Sequence, residues 1–383
     1  MDARRPRVVL VHDWLTGMRG GEKCLERLCR RWQNAPLMTL LHAAGSVSPD
    51  IEELRIRTSF LQRLPGSERY YRYLLPLLPV AARWPIPPCD LVFSLSHCVA
   101  KAARPPRGVP HVCYCFTPMR YAWHMRDAYF GRGRLGQLPS TLVGQLLRWL
   151  RHWDRATAAR VTHFIAISQT IRERIAECYD RDSTVIYPPV DTDFYTPAAV
   201  TREDYYLVVS AFAPYKRIDL AVRACEATNR KLVVIGTGQD ERRLRALAGP
   251  TVTFLGWRPD ETIREHLRHC RALLFPGEED FGIVPVEAQA CGAPVIAFGR
   301  GGATETVVPP GGKHEPTGFL FREQSSECLS EAMDWFERHA TDYSPVASRK
   351  QAVHFNPRRF DEEIGRFADG LGIRRAATVR RAA

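Results

Sequence analysis

Glu279 and Glu287 stand with seven residues between them in the run Phe275-Pro276-Gly277-Glu278-Glu279-Asp280-Phe281-Gly282-Ile283-Val284-Pro285-Val286-Glu287. Apolar residues 272–275 predict a strand, a glycine-containing loop follows, and a helix is predicted over 283–291. A strand–loop–helix junction presents free N–H groups and the positive end of a helix, which suits a phosphorylated ligand. Glu279 lies in the loop, where a carboxylate can accept hydrogen bonds from sugar hydroxyls. Glu287 falls about two turns into the helix, within reach of ribose hydroxyls. A bland alternative is a carboxylate favouring its own helix dipole at Glu279 and a solvated face at Glu287.

Two further groups carry chemistry. Lys216 and Arg217 follow a predicted strand over 205–210 and open the helix predicted over 217–228. Cations at a helix start oppose the dipole, so a bound anion explains the pair better than simple exposure does. Gly20-Gly21 opens a helix after a strand at 7–12, and Gly301-Gly302 follows a strand at 294–298. Glycine lets backbone N–H groups approach a phosphate closely, although paired glycines are also common in ordinary turns.

Short runs of Val, Ile, Leu and Phe alternate with longer amphipathic segments, the pattern of parallel sheets covered by helices. In the first half, strands are predicted at 7–12, 36–41, 90–95, 110–115, 163–167 and 184–187, with Ser168 capping a helix at 169–178. The proline-bearing stretch 187–197 reads as a hinge. Strands restart at 205–210, 231–235, 251–254, 272–275, 294–298 and 318–321. Residues 1–195 and 196–355 are therefore expected to form two Rossmann-like domains. A helix at 356–372 would cross back to the first, and 373–383 is a basic tail read as disordered.

At 383 residues the chain is too long for one ordinary core. No stretch approaches the roughly 20 apolar residues of a membrane-spanning helix, and no signal peptide is recognisable, so a cytoplasmic or peripheral protein is expected. Eleven scattered cysteines without a Cys-x2-Cys pair suggest reduced, buried thiols rather than disulfides or zinc. The net charge of +12 calls for an anionic partner. No nucleic-acid recognition motif is present, and a phosphorylated small molecule or an anionic lipid leaflet, such as the inner face of the cytoplasmic membrane, explains the same charge. Residues 69–84 and 146–153 mix Arg, Trp and aliphatics, as an interfacial segment does, or a core-facing helix with solvated edges.

The Glu279-x7-Glu287 run with its Phe281-Gly282-Ile283 insert resembles the donor-sugar motif of retaining glycosyltransferases of family 4. So do Val9 to Gly21, Pro214-Tyr215-Lys216-Arg217 and Gly301-Gly302-Ala303-Thr304-Glu305, in the expected order along nearly the whole chain. The resemblance implies an α/β GT-B fold, two Rossmann-like parallel-sheet domains facing a cleft. It also implies a nucleotide-sugar donor used as substrate, no metal and no bound cofactor. Glu279, Lys216 and Arg217 take the catalytic roles, Lys216 as diphosphate ligand. Gly20, Gly21, Phe281, Gly282, Ile283, Val284, Glu287, Gly301 and Gly302 bind donor, and Asp13, His97, Arg120 and His124 stand on the acceptor side. Two departures matter: Ala211 stands where relatives often have Arg, and Phe116 where many have His. Resemblance is nearest to bacterial polysaccharide mannosyltransferases, implying GDP-mannose and a lipid-linked or polysaccharide acceptor. A UDP-sugar donor, glucose or N-acetylglucosamine, is the alternative, as is a GT-B nucleotide-sugar epimerase.

Overall fold

The computed structural model describes residues 6–71, 74–120, 122–123 and 140–372, with backbone alone for residue 69 and residues 140–143. His124 and the tail 373–383 lie outside the described residues. The chain forms two compact units: one holds the N-terminal part through Ile186 and resumes at Asp361, and the other runs from Tyr187 to Phe360.

The first unit has a parallel sheet of seven strands: β1 (Val8–His12), β2 (Leu37–Met38), β3 (Ile56–Arg57), β4 (Leu91–Ser96), β5 (His111–Cys115), β6 (His163–Ala166) and β7 (Ser183–Val185). Its spatial order is β3-β2-β1-β4-β5-β6-β7. The second unit has six: β8 (Tyr206–Val209), β9 (Leu232–Ile235), β10 (Val252–Gly256), β11 (Ala272–Phe275), β12 (Val295–Phe298) and β13 (Gly318–Phe321), in the order β10-β9-β8-β11-β12-β13. In each sheet the order of strands thus reverses between the first and fourth, β1 beside β4 and β8 beside β11, all of them parallel. Connections leave that junction to opposite faces, so a crevice opens at the strands' carboxyl ends.

The central strands β1, β4, β5, β11 and β12 are buried along their whole length. Helices cover both faces of a parallel sheet, so these strands are buried on both faces instead of alternating, and polar residues such as Ser94 and Ser96 in β4 and His111 in β5 are buried with them. Strand β3, only two residues long, was not anticipated, and the strand expected at 36–41 shrinks to β2. The Leu40 N–H donates to Asp13 O, so the chain there already belongs to the loop after β1. Ser168 caps its helix as expected, its Oγ accepting from Ile171 N–H at 3.1 Å.

The division at Ile186/Tyr187 falls before the boundary expected at 195, and hydrogen bonds show why. Val190 N–H donates to Phe355 O, and the Arg349 guanidinium donates to the carbonyls of Thr192 and Tyr195 at 2.7 and 2.8 Å. The expected hinge is tied by these bonds into the second unit. The helix Pro357–Gly370 carries the second division, between Phe360 and Asp361. Beyond it Asp361 pairs with Arg27, and Ile364 is buried. All eleven cysteines are free thiols, and all but Cys328 are buried.

Candidate functional site

In the second unit, the chain leaving β8 makes one turn of tight helix over Pro214–Lys216, and Arg217 then caps the helix Ile218–Ala227. Arg217 does so in the left-handed region, at φ 50° and ψ 36°. A non-glycine residue pays about 1 kcal/mol or more for that conformation, and such strain persists where surrounding structure enforces it. The twist separates the two cations. Arg217 Nε turns to Asp219 Oδ1 at 3.3 Å, so the helix start supplies its own counterion. The anion inferred from the opposed dipole is in this instance a residue of the chain.

Lys216 instead faces the loop after β11, and its Nζ pairs with a carboxylate oxygen of Glu279. Both side chains are mostly enclosed, 15% and 19% exposed. Two of the three expected catalytic residues are therefore in direct contact across the β8/β11 junction. Gly277 makes the approach possible: a Cβ there would lie 2.9 Å from Lys216 Cα. Its signal was present in the sequence as the glycine right after the strand-ending proline, and went unused.

The Glu279 loop is held from behind. Glu279 bridges to Gly301, and Gly302 N–H donates to Glu279 O at 2.8 Å. A Cβ on Gly302 would sit 2.2 Å from Phe281 Cα, and one on Gly301 2.3 Å from Glu279 O. These glycines were read as open backbone donors, but the Gly302 N–H is already committed and both serve to seat one loop against another. Gly236 and Gly238 act likewise, with a Cβ on Gly236 falling 1.9 Å from Ser210 O.

Phe281 is buried between Tyr187 and Phe355, ring centroids 5.9 and 5.5 Å away, and so anchors the loop. Gly282 at φ 85° then caps the helix Ile283–Ala290. The first-turn N–H groups of Ile283 and Val284 have no intrahelical acceptor, as at any helix start, and Pro285 has none to offer. Glu287, in the next turn, is only 5% exposed, which excludes the solvated face. Burial, and then the Glu287 charge, raise the pKa of the Tyr195 phenol, so Tyr195 joins this corner as a residue that sequence reasoning took for linker.

In the first unit the β1/β4 junction gathers Asp13 and His97. Asp13 is fully buried, and its carboxylate accepts from the backbone N–H groups of His97, Cys98, Val99 and Ala100 at 2.6–3.0 Å. His97 Nδ1 lies 3.0 Å from Asp13 Oδ2. Burial works against the Asp13 charge, but His97 and these N–H groups outweigh it and hold the carboxyl well below its ordinary range. Asp13 is thus a buried anchor. His12, also fully buried, donates its Nδ1–H to Trp14 O, 3.0 Å away, and burial lowers its pKa, favouring the neutral ring. Its Nε2 is 3.5 Å from where a Gly21 Cβ would stand, and the Phe116 ring is 3.3 Å from the same point. Gly21 accordingly sits in a tight contact with the Phe116 ring of its own unit, with little room for a side chain. Gly20 and Gly21 open the helix Gly20–Arg31, where buried Glu22 accepts from Arg19 N–H at 3.1 Å. Arg120 is half-buried beyond β5, and His124 is outside the described residues. Among the described residues, no grouping of His, Cys, Asp and Glu could hold a metal ion.

Two family profiles tile this chain: Glycosyltransferase Family 4 matches residues 18–194 and Glycosyl transferases group 1 matches residues 191–351. The chain belongs to glycosyltransferase family 4, with the GT-B fold. It is 32% identical over 236 residues to the D-inositol 3-phosphate glycosyltransferase of Stackebrandtia nassauensis, covering 53% of this chain and 52% of that one. It is 30% identical over 198 residues to the GDP-mannose-dependent alpha-(1-6)-phosphatidylinositol monomannoside mannosyltransferase of Mycobacterium tuberculosis, 44% and 50% of the two chains. The chain spans about half the length of the curated relatives it matches. The crystal structure of Anabaena Alr3699/HepE with UDP-glucose shares the fold at a TM-score of 0.69 and 18% identity, covering 96% of this chain and all of that one.

Proposed function

We propose that this protein is a retaining glycosyltransferase that moves mannose from GDP-mannose onto a lipid-linked or polysaccharide acceptor, without a metal or bound cofactor. The observation that carries the reading is the Lys216–Glu279 pair at the β8/β11 junction, beside the helix start at Ile283 and Val284. In the transfer, the bond from the sugar's anomeric carbon to the diphosphate oxygen breaks, and a bond to the acceptor oxygen forms on the same face. The acceptor proton passes to the departing phosphate. Negative charge grows on that phosphate, and fixed cations and N–H dipoles stabilise it most. Lys216 and the Ile283 and Val284 amides supply them, with Arg217 a helper once Asp219 yields it. Glu279 orients the sugar hydroxyls, and Glu287 holds the ribose. The preference for mannose is supported by the mycobacterial relative named for GDP-mannose.

Membrane contact is part of this proposal. Among the described residues no helix is long and apolar enough to cross a membrane. Leu77, Val80 and Trp149 are nonetheless exposed, on elements that share one core cluster, with Arg83, Arg148 and Arg155 exposed beside them in sequence. Exposed apolar side chains with arginines next to them in sequence suit the anionic inner face of the cytoplasmic membrane.

A thermal-shift comparison of GDP, UDP and their sugars tests the donor, since a ligand of the folded state alone stabilises it as ln(1 + [L]/Kd). GDP and GDP-mannose should raise Tm; equal shifts from GDP and UDP would remove the preference for guanine. Product analysis separates the alternative: an epimerase alters the free nucleotide sugar and adds nothing to a glycan. Co-sedimentation with phosphatidylglycerol vesicles, lost on Trp149→Ala, tests the surface.

A further inference from the structure

The second unit places one carboxylate between two guanidiniums. Asp219 lies in the first turn of the helix Ile218–Ala227, and its Oδ1 is 3.3 Å from Arg217 Nε and 3.7 Å from Arg243 Nη2. Arg243 stands on the helix Glu241–Leu247 and is held by a second carboxylate. Its Nε donates to Asp240 Oδ1 at 3.0 Å and its Nη2 to Asp240 Oδ2 at 2.7 Å. Asp240 first, and then Asp219, raise the Arg243 pKa against the burial that lowers it. Both carboxylates are nearly enclosed, with Asp219 12% and Asp240 10% exposed, while the Arg217 side chain is 33% open. These groups meet because two loops are seated on each other. Strand β9 pairs with β8, Phe212 N–H donates to Thr237 O at 2.9 Å, and Asp240 N–H donates to Phe212 O at 3.0 Å. Gly238 permits the seating, since a Cβ there would fall 2.6 Å from Phe212 O.

The two guanidiniums differ in what they would leave behind. With Arg217 turned away, Asp219 keeps a helix start that favours a carboxylate, and it keeps Arg243 beside it. Arg243 is the less movable of the two, tied to Asp240 through both Nε and Nη2. We propose that Arg243 is a positioning residue of the donor site, which holds the Asp219 carboxylate and so frees Arg217 to turn to the donor diphosphate; the assignment rests on the glycosyl-transfer reading above. Arg217 then passes from one anion to another, and the guanidinium of Arg243 serves two carboxylates. Arg243 itself touches neither sugar nor phosphate.

Titration calorimetry of the full chain with GDP, at low ionic strength, tests this through opposite signs. Arg243→Met leaves Asp219 to Arg217 alone, and GDP should bind about twofold to fivefold more weakly, the worth of a partly exposed ion pair. Asp219→Asn releases Arg217 outright, and GDP should bind more tightly by a similar factor. The double variant should bind as Asp219→Asn does, and Arg243→Lys should recover part of the Arg243→Met loss. In an Arg217→Met protein neither substitution should change GDP affinity. A site that is merely loosened would bind GDP more weakly in both single variants. An Arg243→Met effect that persists without Arg217 would make Arg243 a phosphate ligand or a distant charge, and overturns the proposal. So does an Asp219→Asn protein that binds GDP no more tightly than wild type. If wild-type protein binds neither GDP nor UDP, the glycosyl-transfer reading fails by itself. The sharing of Asp219 is then decided without ligand. The coupling of Arg217 to Asp219, from a double-mutant cycle in urea, should be larger in an Arg243→Met background, and an equal coupling refutes the sharing.

Discussion

The Lys216–Glu279 pair makes a counterintuitive prediction: removing a proposed catalytic carboxylate should tighten the binding of free nucleoside diphosphate. In the structure Glu279 neutralises Lys216, so a diphosphate must displace the carboxylate before it can use the ammonium. The gross attraction of two unit charges at contact is about 4 kcal/mol at an effective dielectric near 20. Desolvation and side-chain ordering take back most of it. Fully exposed pairs measure about 0.2–1 kcal/mol, and breaking a buried one costs about 3–5. With 15% and 19% exposure this pair lies between those limits, nearer the lower, at about 1–2 kcal/mol.

Glu279→Gln keeps the shape and removes the charge. GDP should then bind about 5–30-fold more tightly than to the wild-type protein, the factor that about 1–2 kcal/mol corresponds to. Transfer from GDP-mannose should fall about a hundredfold, because the proposed sugar contact is lost with the charge. Titration calorimetry with GDP at two ionic strengths measures the first effect, and initial rates the second. Lys216→Met should weaken GDP binding in either background, since no ammonium is left to release. A Glu279→Gln protein that binds GDP no more tightly than wild type would refute the competition.

Three further outcomes follow from other parts of the molecule. Gly302→Ala would drive a Cβ to 2.2 Å from Phe281 Cα, so it should cost about 3 kcal/mol or more and abolish the GDP-induced Tm rise. Gly311→Ala, with φ 86° but open space around it, should cost only about 1–2 kcal/mol of backbone strain, and equal costs in urea denaturation would contradict the packing argument. Glu337 is buried enough to oppose its charge, yet Arg230, Tyr206 and Arg271 bring its pKa from 4.5 down to about 2. A carboxylate depressed on folding adds stability that is fully present above pH about 4.5 and lost as pH falls toward about 2. Discounted for solvent, that is about 2 kcal/mol, and Glu337→Gln should flatten this limb of a stability–pH curve. A thiol reagent should modify at most Cys328 quickly in native protein and the other ten cysteines only on unfolding, because burial pushes thiols such as Cys29, Cys225 and Cys270 up to about 12.

What the sequence made legible follows a physical line. Strands such as β4 and β11 could be read because burial on both faces demands an apolar run, and the helix at Ser168 because its hydroxyl caps it. Glu279, Glu287 and Lys216 could be singled out by type and junction. Their partners could not. That Arg217 turns to Asp219 depends on a left-handed residue, and that Gly302 serves Glu279 depends on a loop from another strand. Glycine reports only that a Cβ is unwelcome; whether a ligand or the protein's own backbone approaches is a question of tertiary contact. Glu287 and Tyr195 meet across 92 residues of sequence, a distance over which periodicity carries no signal (287 minus 195).

The two units, taken separately, solve one local problem the same way. In each sheet the order of strands reverses between the first and fourth, and at each reversal a charged group following the first is tied to an oppositely disposed partner following the fourth: Lys216 to Glu279 after β8 and β11, Asp13 to His97 after β1 and β4. A crevice at carboxyl strand ends collects first-turn N–H groups that favour anions. In the second unit the chain places a cation and its counterion there, the pair that under the proposed function a diphosphate would part. In the first it fills the N–H cluster with Asp13, whose carboxylate takes those donors and pairs with His97 Nδ1. The distribution of charge is therefore what the proposed function needs of the second unit, where a diphosphate would take the place of Glu279 at Lys216. Under the proposed function the Glu279→Gln protein should accordingly lose transfer while its affinity for GDP rises, a combination that simple unfolding of the site would not produce.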